Sequence, residues 1–355
     1  MKGPLKRGDI IGDRYKVTSF VGEGGMQFVY RADDQVLQRK VALKAPKNTS
    51  AEKRFRRSAI VAAKVNHPNV AKTLDYVETV ERPYLVEEYV DGSDLEKALL
   101  RETKCLDPYL VGKIFHHLSK GIAAAHHVGV VHRDLKPTNI MVVGGFQVNE
   151  IKITDFGIAK MADQELAEAA EGGNATITSS QTAVGALPYM APEAIDTPRK
   201  VSYPADIWST GAMIYEILCG QKPFGTGLRS VHKIMEAKFP DVPKFVTKNP
   251  QFSPLSNALI EIITSCLQKN QTDRPTADQL VVKCGNLYYP ISKRYTGNMK
   301  SIKHNSWGFI DHDGGDVFFH LSSVYGQRPS PGSKVLFSKY SGGGAPRAHP
   351  VILLS

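Results

Sequence analysis

The sequence predicts an α+β fold of two lobes, followed by a small all-β barrel. Strand patterns fill the first third of the 355 residues, helical periodicity fills the middle, and short aromatic strands separated by glycines fill the end. The chain is longer than one typical domain, and 42% of its residues are hydrophobic, so each unit can bury a core.

The first lobe is predicted to be a sheet. Residues 15–21, 28–32 and 40–44 alternate like antiparallel strands, and a glycine-rich turn separates the first two. Residues 51–65 have the apolar spacing of one helix, which a His-Pro pair ends, and strand pattern then returns up to residue 90. The sequence therefore predicts a strand-rich lobe with one helix.

The second lobe is predicted to be helical, and the barrel follows it. The predicted helices cover residues 93–101, 108–128, 205–219, 230–237 and 255–268. The predicted barrel strands cover residues 299–303, 307–310, 317–320, 334–339 and 349–353. The predicted units are a two-lobed domain at 14–285, a linker at 286–295 and a barrel at 296–355.

Charge and cysteine usage restrict the functional classes. The formal net charge is +10, and residues 286–355 hold eight Lys or Arg against three Asp, which suits either a solvated surface or a polyanion. The four cysteines are scattered without a Cys-x-x-Cys pair, which argues against a zinc site or disulfide framework and indicates a reducing cytoplasm. No apolar run is long enough to span a membrane, and the first residues lack the apolar core of a signal peptide.

Two motifs carry chemistry. Residues 132–139 are His-Arg-Asp-Leu-Lys-Pro-Thr-Asn, and Thr-Asp-Phe-Gly follows at 154–157. Asp134 can accept a hydroxyl proton, and Asn139 and Asp155 can hold a metal ion. Each residue alone is typical of a turn, but the ordered set resembles a Ser/Thr protein kinase of the bacterial type. The resemblance includes Ala-Pro-Glu at 191–193, and it covers roughly residues 14–284.

The resemblance implies the cofactors ATP and magnesium and a role for each site residue. Asp134 is the expected catalytic base, Lys136 would steady the transferred phosphoryl group, and Asn139 and Asp155 would bind magnesium. Because Lys136 follows Asp-Leu, a Ser or Thr side chain of a protein is the expected acceptor. The expected ATP-binding residues are Val21, Gly22, Gly24, Val29, Ala42, Lys44, Glu88 and Val90. Two further matches are structural: Arg274 is the expected ion-pair partner of Glu193, and Asp206 is expected to brace the catalytic loop.

Several residues depart from the family pattern. Ser58 stands where a helix usually supplies a Glu for Lys44, and Glu87 stands where an apolar residue usually precedes the linker. We expect Glu87 to pair with Lys44; the alternative is that it faces solvent or binds a backbone amide. Gln27 replaces the third glycine of the loop, and Ala186 replaces a threonine that bridges base and lysine. Both an active kinase and a catalytically impaired, nucleotide-binding pseudokinase remain open.

Regulation is expected in the polar segment between Asp155 and Glu193. It contains Thr176, Thr178 and Thr182, and glycines precede them. In kinases of this kind, the arginine before the catalytic aspartate often holds a phosphorylated loop. The sequence therefore predicts autophosphorylation at one or more of these threonines.

The C-terminal strands resemble a cold-shock domain, a five-stranded barrel of the OB type. Trp307 and Phe309 alternate on one strand, and Phe318 and His320 on the next, so each pair shares a face. With Lys300, Lys303 and Arg328 near the phosphates, they would bind RNA or single-stranded DNA by stacking. The alternatives are that these aromatics fill the barrel core, or that the barrel binds a protein partner or the lobes themselves.

Overall fold

The computed structural model describes residues 3–24, 27–47, 55–56, 59–156, 185–197 and 201–355. Four residues named above lie outside these ranges: Ser58 and the predicted autophosphorylation sites Thr176, Thr178 and Thr182. None of the helices in these ranges has the length and apolar character needed to cross a membrane.

The small lobe is an antiparallel sheet of six strands in the order β1-β2-β3-β4-β6-β5. The strands are β1 Ile10–Ile11, β2 Tyr15–Glu23, β3 Gln27–Asp34, β4 Arg39–Pro46, β5 Thr73–Glu78 and β6 Pro83–Glu88. Alternate residues of each strand point to the same face, and Tyr30, Ala32, Val41, Leu43 and Val86 form the buried core there. This arrangement confirms the predicted strand-rich lobe.

The large lobe contains seven of the described α-helices and a three-stranded sheet. The helices are α1 Pro108–His127, α2 Pro192–Asp196, α3 Tyr203–Cys219, α4 Ser230–Met235, α5 Lys244–Thr247, α6 Ser253–Cys266 and α7 Ala277–Gly285. The sheet consists of β7 Ser93–Asp94, β8 Ile140–Val143 and β9 Glu150–Ile153. The predicted helix at 93–101 is partly wrong, since β7 pairs with β8 and only a short π-helix at Glu96–Leu100 follows.

The C-terminal unit is a closed barrel with the strand order β10-β11-β12-β14-β13. Its strands are β10 Arg294–Lys303, β11 Trp307–His312, β12 Gly315–His320, β13 Lys334–Tyr340 and β14 Arg347–Leu353. Strand β10 begins inside the predicted linker. The core of the barrel includes Ile310, Val317 and Phe319, which alternate with outward-facing side chains.

The barrel packs directly on the large lobe. Tyr325 is fully buried, and its hydroxyl donates to the Leu218 carbonyl at 2.9 Å. The guanidinium of Arg294 meets Asp107 at 2.9 Å in a buried ion pair, and Asp107 also caps the first turn of α1. The hydrophobic core of the large lobe continues into the barrel through Tyr325 and Leu336. The barrel is therefore held against the lobe by a buried interface.

Candidate active site

A cavity of about 470 Å³ lies between the two lobes. Its walls include every residue expected to bind ATP, namely Val21, Gly22, Gly24, Val29, Ala42, Lys44, Glu88 and Val90. They also include Glu87, Asp134, Lys136, Asn139 and Asp155. The fold thus gathers one set of side chains from both lobes around a space of the size that small-molecule sites have.

The loop between α1 and β8 presents Asp134 to this cavity. The Lys136 ammonium lies 2.7 Å from one carboxylate oxygen of Asp134. The Asn139 amide donates to the backbone carbonyl and to the carboxylate of Asp134, at 2.8 and 3.0 Å. These contacts hold the three side chains in one cluster, so the carboxylate of Asp134 has a fixed orientation.

Asp206, on α3, holds the backbone of the loop that carries Asp134. Its two carboxylate oxygens accept hydrogen bonds from the backbone amides of His132 and Arg133, both at 2.8 Å. The ring of His126 lies 2.9 Å from the same carboxylate. Burial acts to raise the pKa of Asp206, but the contacts with His126 and the backbone outweigh it and keep the pKa below its usual value. Arg133 has a positive φ of 69°, so the loop is held in a conformation that side chains rarely adopt.

Asp155 follows β9 and faces the same cavity. The backbone amide of Thr154 donates to the Asn139 carbonyl at 2.9 Å, which places the Asp155 and Asn139 segments side by side. Phe156 is buried against the ring of His132, with 4.6 Å between the ring centroids. Carboxylate and amide oxygens are the ligands that magnesium prefers, so Asp155 and Asn139 suit this cation.

Lys44, on β4, lies between two carboxylates. Its ammonium is buried, forms an ion pair with Glu87 and lies 2.8 Å from Asp155. Burial opposes the positive charge, but the carboxylates of Asp155 and Glu87 outweigh it and raise the pKa of Lys44. Burial acts to raise the pKa of Asp155, but the positive charge and hydrogen bond of Lys44, with a hydrogen bond from Gln27, outweigh it and lower that pKa. Glu87 is buried and does not face solvent.

Gln27 is a site residue that the sequence did not assign to this cluster. Its side-chain amide donates to Asp155 at 2.7 Å, across 128 positions of the chain. The only signal in the sequence was the long polar side chain in place of a loop glycine. The carboxylate of Glu88 forms an ion pair with Lys152 at 2.9 Å. Glu88 can therefore contact adenine only through its backbone groups.

Helix α2 and the segment before it are tied to the rest of the large lobe. Glu193 forms two hydrogen bonds with Arg274, at 2.6 and 2.9 Å, in the arrangement expected for these residues. The Ser209 hydroxyl donates to the Tyr189 carbonyl at 2.8 Å. Ala186 lies in the described part of this segment and has no hydroxyl with which to bridge Asp134 and Lys136.

The barrel carries an aromatic face outside its core. Trp307, Phe309 and Phe318 are half-buried, with ring centroids 5.7 to 6.0 Å apart. The Lys303 ammonium lies over Trp307 at 5.4 Å from the ring centroid. Because Ile310, Val317 and Phe319 fill the interior and the three rings lie outside that core, the interpretation of these rings as barrel core is wrong.

Two of the polar residues expected at this face, His320 and Lys300, have other partners. His320 is exposed and contacts the hydroxyls of Ser306 and Ser322 at 3.1 and 2.7 Å. The Lys300 ammonium forms an ion pair with Asp316 at 2.7 Å. Among the described residues, Lys303, which was also expected near the phosphates, is the cation that lies against the rings.

The chain is similar to proteins of one family. Residues 15–283 match the family model of the protein kinase domain. A probable serine/threonine-protein kinase of Clostridium perfringens is 32% identical over 305 residues, which are 83% of this chain and 39% of the relative. The serine/threonine-protein kinase pkn3 of Myxococcus xanthus is 33% identical over 283 residues, which are 76% of this chain and 49% of the relative. The chain thus spans less than half the length of these two relatives.

Solved structures share the fold. Rad53 in complex with AMP-PNP has a TM-score of 0.57 and 26% identity, and the match covers 76% of this chain and 64% of Rad53. The PknI kinase domain of Mycobacterium tuberculosis has a TM-score of 0.57 and 22% identity, and covers 80% of this chain and 98% of that domain. The two lobes, the cleft between them and the match over residues 15–283 lead to one assignment: the chain belongs to the protein kinase family.

Proposed function

We propose that this chain is a protein kinase that transfers the γ-phosphoryl group of ATP to a Ser or Thr hydroxyl of a protein. The observation that carries the proposal is the cluster of Asp134, Lys136 and Asn139 beside Asp155 in the cleft between the lobes. The relatives are named serine/threonine-protein kinases, and Rad53 was solved with an ATP analogue. ATP and magnesium are the proposed cofactors.

The chemistry divides among residues of both lobes. Asp134 would accept the proton of the attacking hydroxyl, and Lys136 would steady the phosphoryl group as it moves between oxygens. Lys44 would contact the phosphates of the bound nucleotide, while Glu87 holds its ammonium in place. Magnesium, held by Asn139 and Asp155, would neutralise phosphate charge. The main contribution of the protein is to position charges, which is the usual source of catalysis in phosphoryl transfer.

The test is transfer of labelled phosphate from ATP with magnesium, for the wild type and for Asp134→Asn. We expect label on a basic protein substrate, and on the chain itself, only with the wild type. Mass spectrometry of the labelled chain then checks the predicted sites Thr176, Thr178 and Thr182. Absence of transfer together with ATP binding would favour the pseudokinase alternative, in which the site binds nucleotide as a scaffold.

A second candidate function rests on the aromatic face of the barrel. We propose that Trp307, Phe309 and Phe318 stack on bases of RNA or single-stranded DNA, with Lys303 beside the phosphates. The three rings are accessible although the barrel is packed on the large lobe. The basic charge of this region suits a polyanion.

The test of this second function is a titration of the full chain with single-stranded oligonucleotides at low and high salt. Binding through phosphates weakens steeply as salt rises, because bound counterions are released on association. Affinity that is insensitive to salt would instead indicate an apolar contact, as with a protein partner.

A further inference from the structure

The side chain of Gln27 is enclosed between the glycine-rich hairpin and Asp155. Gln27 is only 5% exposed, and its backbone carbonyl closes the hairpin by accepting from the Gly24 amide at 2.9 Å. Its side-chain Nε2 donates to the Asp155 Oδ1 atom at 2.7 Å, and Lys44 donates to the same oxygen at 2.8 Å. The hairpin is therefore tied to the aspartate that would bind the cation.

The other polar atom of this side chain has no partner among the described residues. The Oε1 atom of Gln27 is buried and accepts no hydrogen bond from the described part of the chain. Buried amide oxygens are almost always satisfied, because an unpaired one loses its hydration without compensation. An unpaired acceptor such as Gln27 Oε1, next to the carboxylate of Asp155, would be stabilised by a donor or a cation. A divalent cation is the partner that this site would receive.

We propose that Gln27 Oε1 contributes an oxygen to the coordination shell of the divalent cation held by Asp155 and Asn139. This inference rests on the proposed binding of a metal–nucleotide complex in the cleft. The amide then has two functions: Nε2 orients the Asp155 carboxylate, and Oε1 faces the charge that this carboxylate attracts. Gln27 is thus a residue of the metal site supplied by the small lobe.

A role limited to Nε2 would leave this orphan oxygen unexplained. The hairpin itself does not need the side chain, because its closing hydrogen bond uses the backbone of Gln27. The two roles predict opposite effects of a carboxylate at this position. A glutamate keeps the oxygen and adds negative charge, so it strengthens cation binding if the oxygen faces the cation. It repels Asp155 and weakens the site if only the amide donor matters.

The experiment measures Mn²⁺ binding to the full chain in the presence of ADP, by electron paramagnetic resonance of free Mn²⁺. The variants are Gln27→Glu and Gln27→Leu, and Gln35→Glu is the control, since its side chain is exposed on the turn between β3 and β4. Thermal unfolding of each variant verifies that it is folded. No turnover is required.

We expect Gln27→Glu to bind Mn²⁺ about 5-fold more tightly and Gln27→Leu about 10-fold more weakly, with the control unchanged. Weakening by both variants would overturn the inference and leave Gln27 as a positioning residue for Asp155. Unchanged affinity in both variants would also overturn it. If the wild type binds no Mn²⁺ with ADP, the nucleotide site itself fails. If the expected pattern appears without phosphate transfer, the inference stands for a pseudokinase.

Discussion

The ammonium of Lys44 and the carboxylate of Glu87 form a buried ion pair within one sheet. Strands β4 and β6 are hydrogen-bonded neighbours, with Ala42 opposite Glu87 and Lys44 opposite Leu85, so both charged side chains project from paired strands. In the family pattern, the partner of this lysine comes from a separate helix. A pair built into the sheet does not depend on the position of that helix.

This relationship predicts a coupled effect on stability. Lys44→Met alone leaves the buried carboxylate of Glu87 and the half-buried carboxylate of Asp155 without their cation, and we expect it to lower the free energy of unfolding by about 3–5 kcal/mol. The double variant Lys44→Met, Glu87→Leu removes one of these charges and should recover part of that loss. Urea unfolding without nucleotide measures both. A double variant that is no more stable than Lys44→Met would contradict the coupling.

A pH dependence is expected from Asp34 at the end of β3. Two hydrogen bonds from Arg14, each 2.8 Å long, lower the pKa of Asp34 from 3.8 to about 2. Because the folded pKa lies below the unfolded one, this stabilisation is present above about pH 4 and is lost as the pH falls towards 2.

The matched variant for this dependence is Asp34→Asn. Its deficit in free energy of unfolding against the wild type should be constant near neutral pH and should shrink below about pH 4. Urea titrations over this range measure the deficit. A deficit that stays the same down to about pH 2 would show that the carboxylate charge does not matter.

The interface between barrel and lobe predicts protected thiols. Cys105 is buried, Gly326 of the barrel packs against its sulfur, and burial raises the pKa of the Cys105 thiol to about 12. We expect no reaction of Cys105 with a thiol reagent at mildly alkaline pH in the folded wild type. Tyr325→Ala removes the ring that packs on Phe245 and Phe252, and should expose this thiol.

Counting of reacted thiols, followed by peptide mapping, tests this expectation. The control is Tyr288→Ala, because Tyr288 is 84% exposed and its loss should leave Cys105 protected. Barrel and lobe should also unfold together in the wild type, since they share a core. Equal protection of Cys105 in both variants would mean that Tyr325 does not hold the interface.

The aromatic face predicts a fluorescence signal. The chain has two tryptophans; Trp208 is fully buried, whereas Trp307 is half-buried on the barrel surface. Single-stranded nucleic acid should therefore quench mainly Trp307.

Phe318→Ala should weaken binding about 10-fold or more, because each stacked base contributes about 1–3 kcal/mol. Phosphate transfer should not change, since Phe318 is in the barrel; an equal affinity of Phe318→Ala and wild type would exclude the stacking role.

Local motifs allowed much of the fold and the site residues to be predicted. Asp134 and Asn139 lie within one loop, and a carboxylate at position 87 in a buried strand implied a cation such as Lys44. The contact between Gln27 and Asp155 could not be predicted, because it joins residues 128 positions apart without a shared motif. Docking of the barrel on the lobe was one of the alternatives, but it depends on a pair 187 positions apart, Arg294 and Asp107, so no local pattern could identify these residues. The helix expected at 93–101 failed because tertiary pairing of β7 overrode short-range periodicity.

The central claim is that Glu87 completes a working kinase site by holding Lys44. The most direct measurement is kcat/KM for phosphate transfer by the wild type, Glu87→Leu and the exposed control Glu78→Gln. The account predicts a loss of about 100-fold for Glu87→Leu, because misplacing a positioned charge costs this much, and no change for Glu78→Gln. A Glu87→Leu variant as active as the wild type would contradict it.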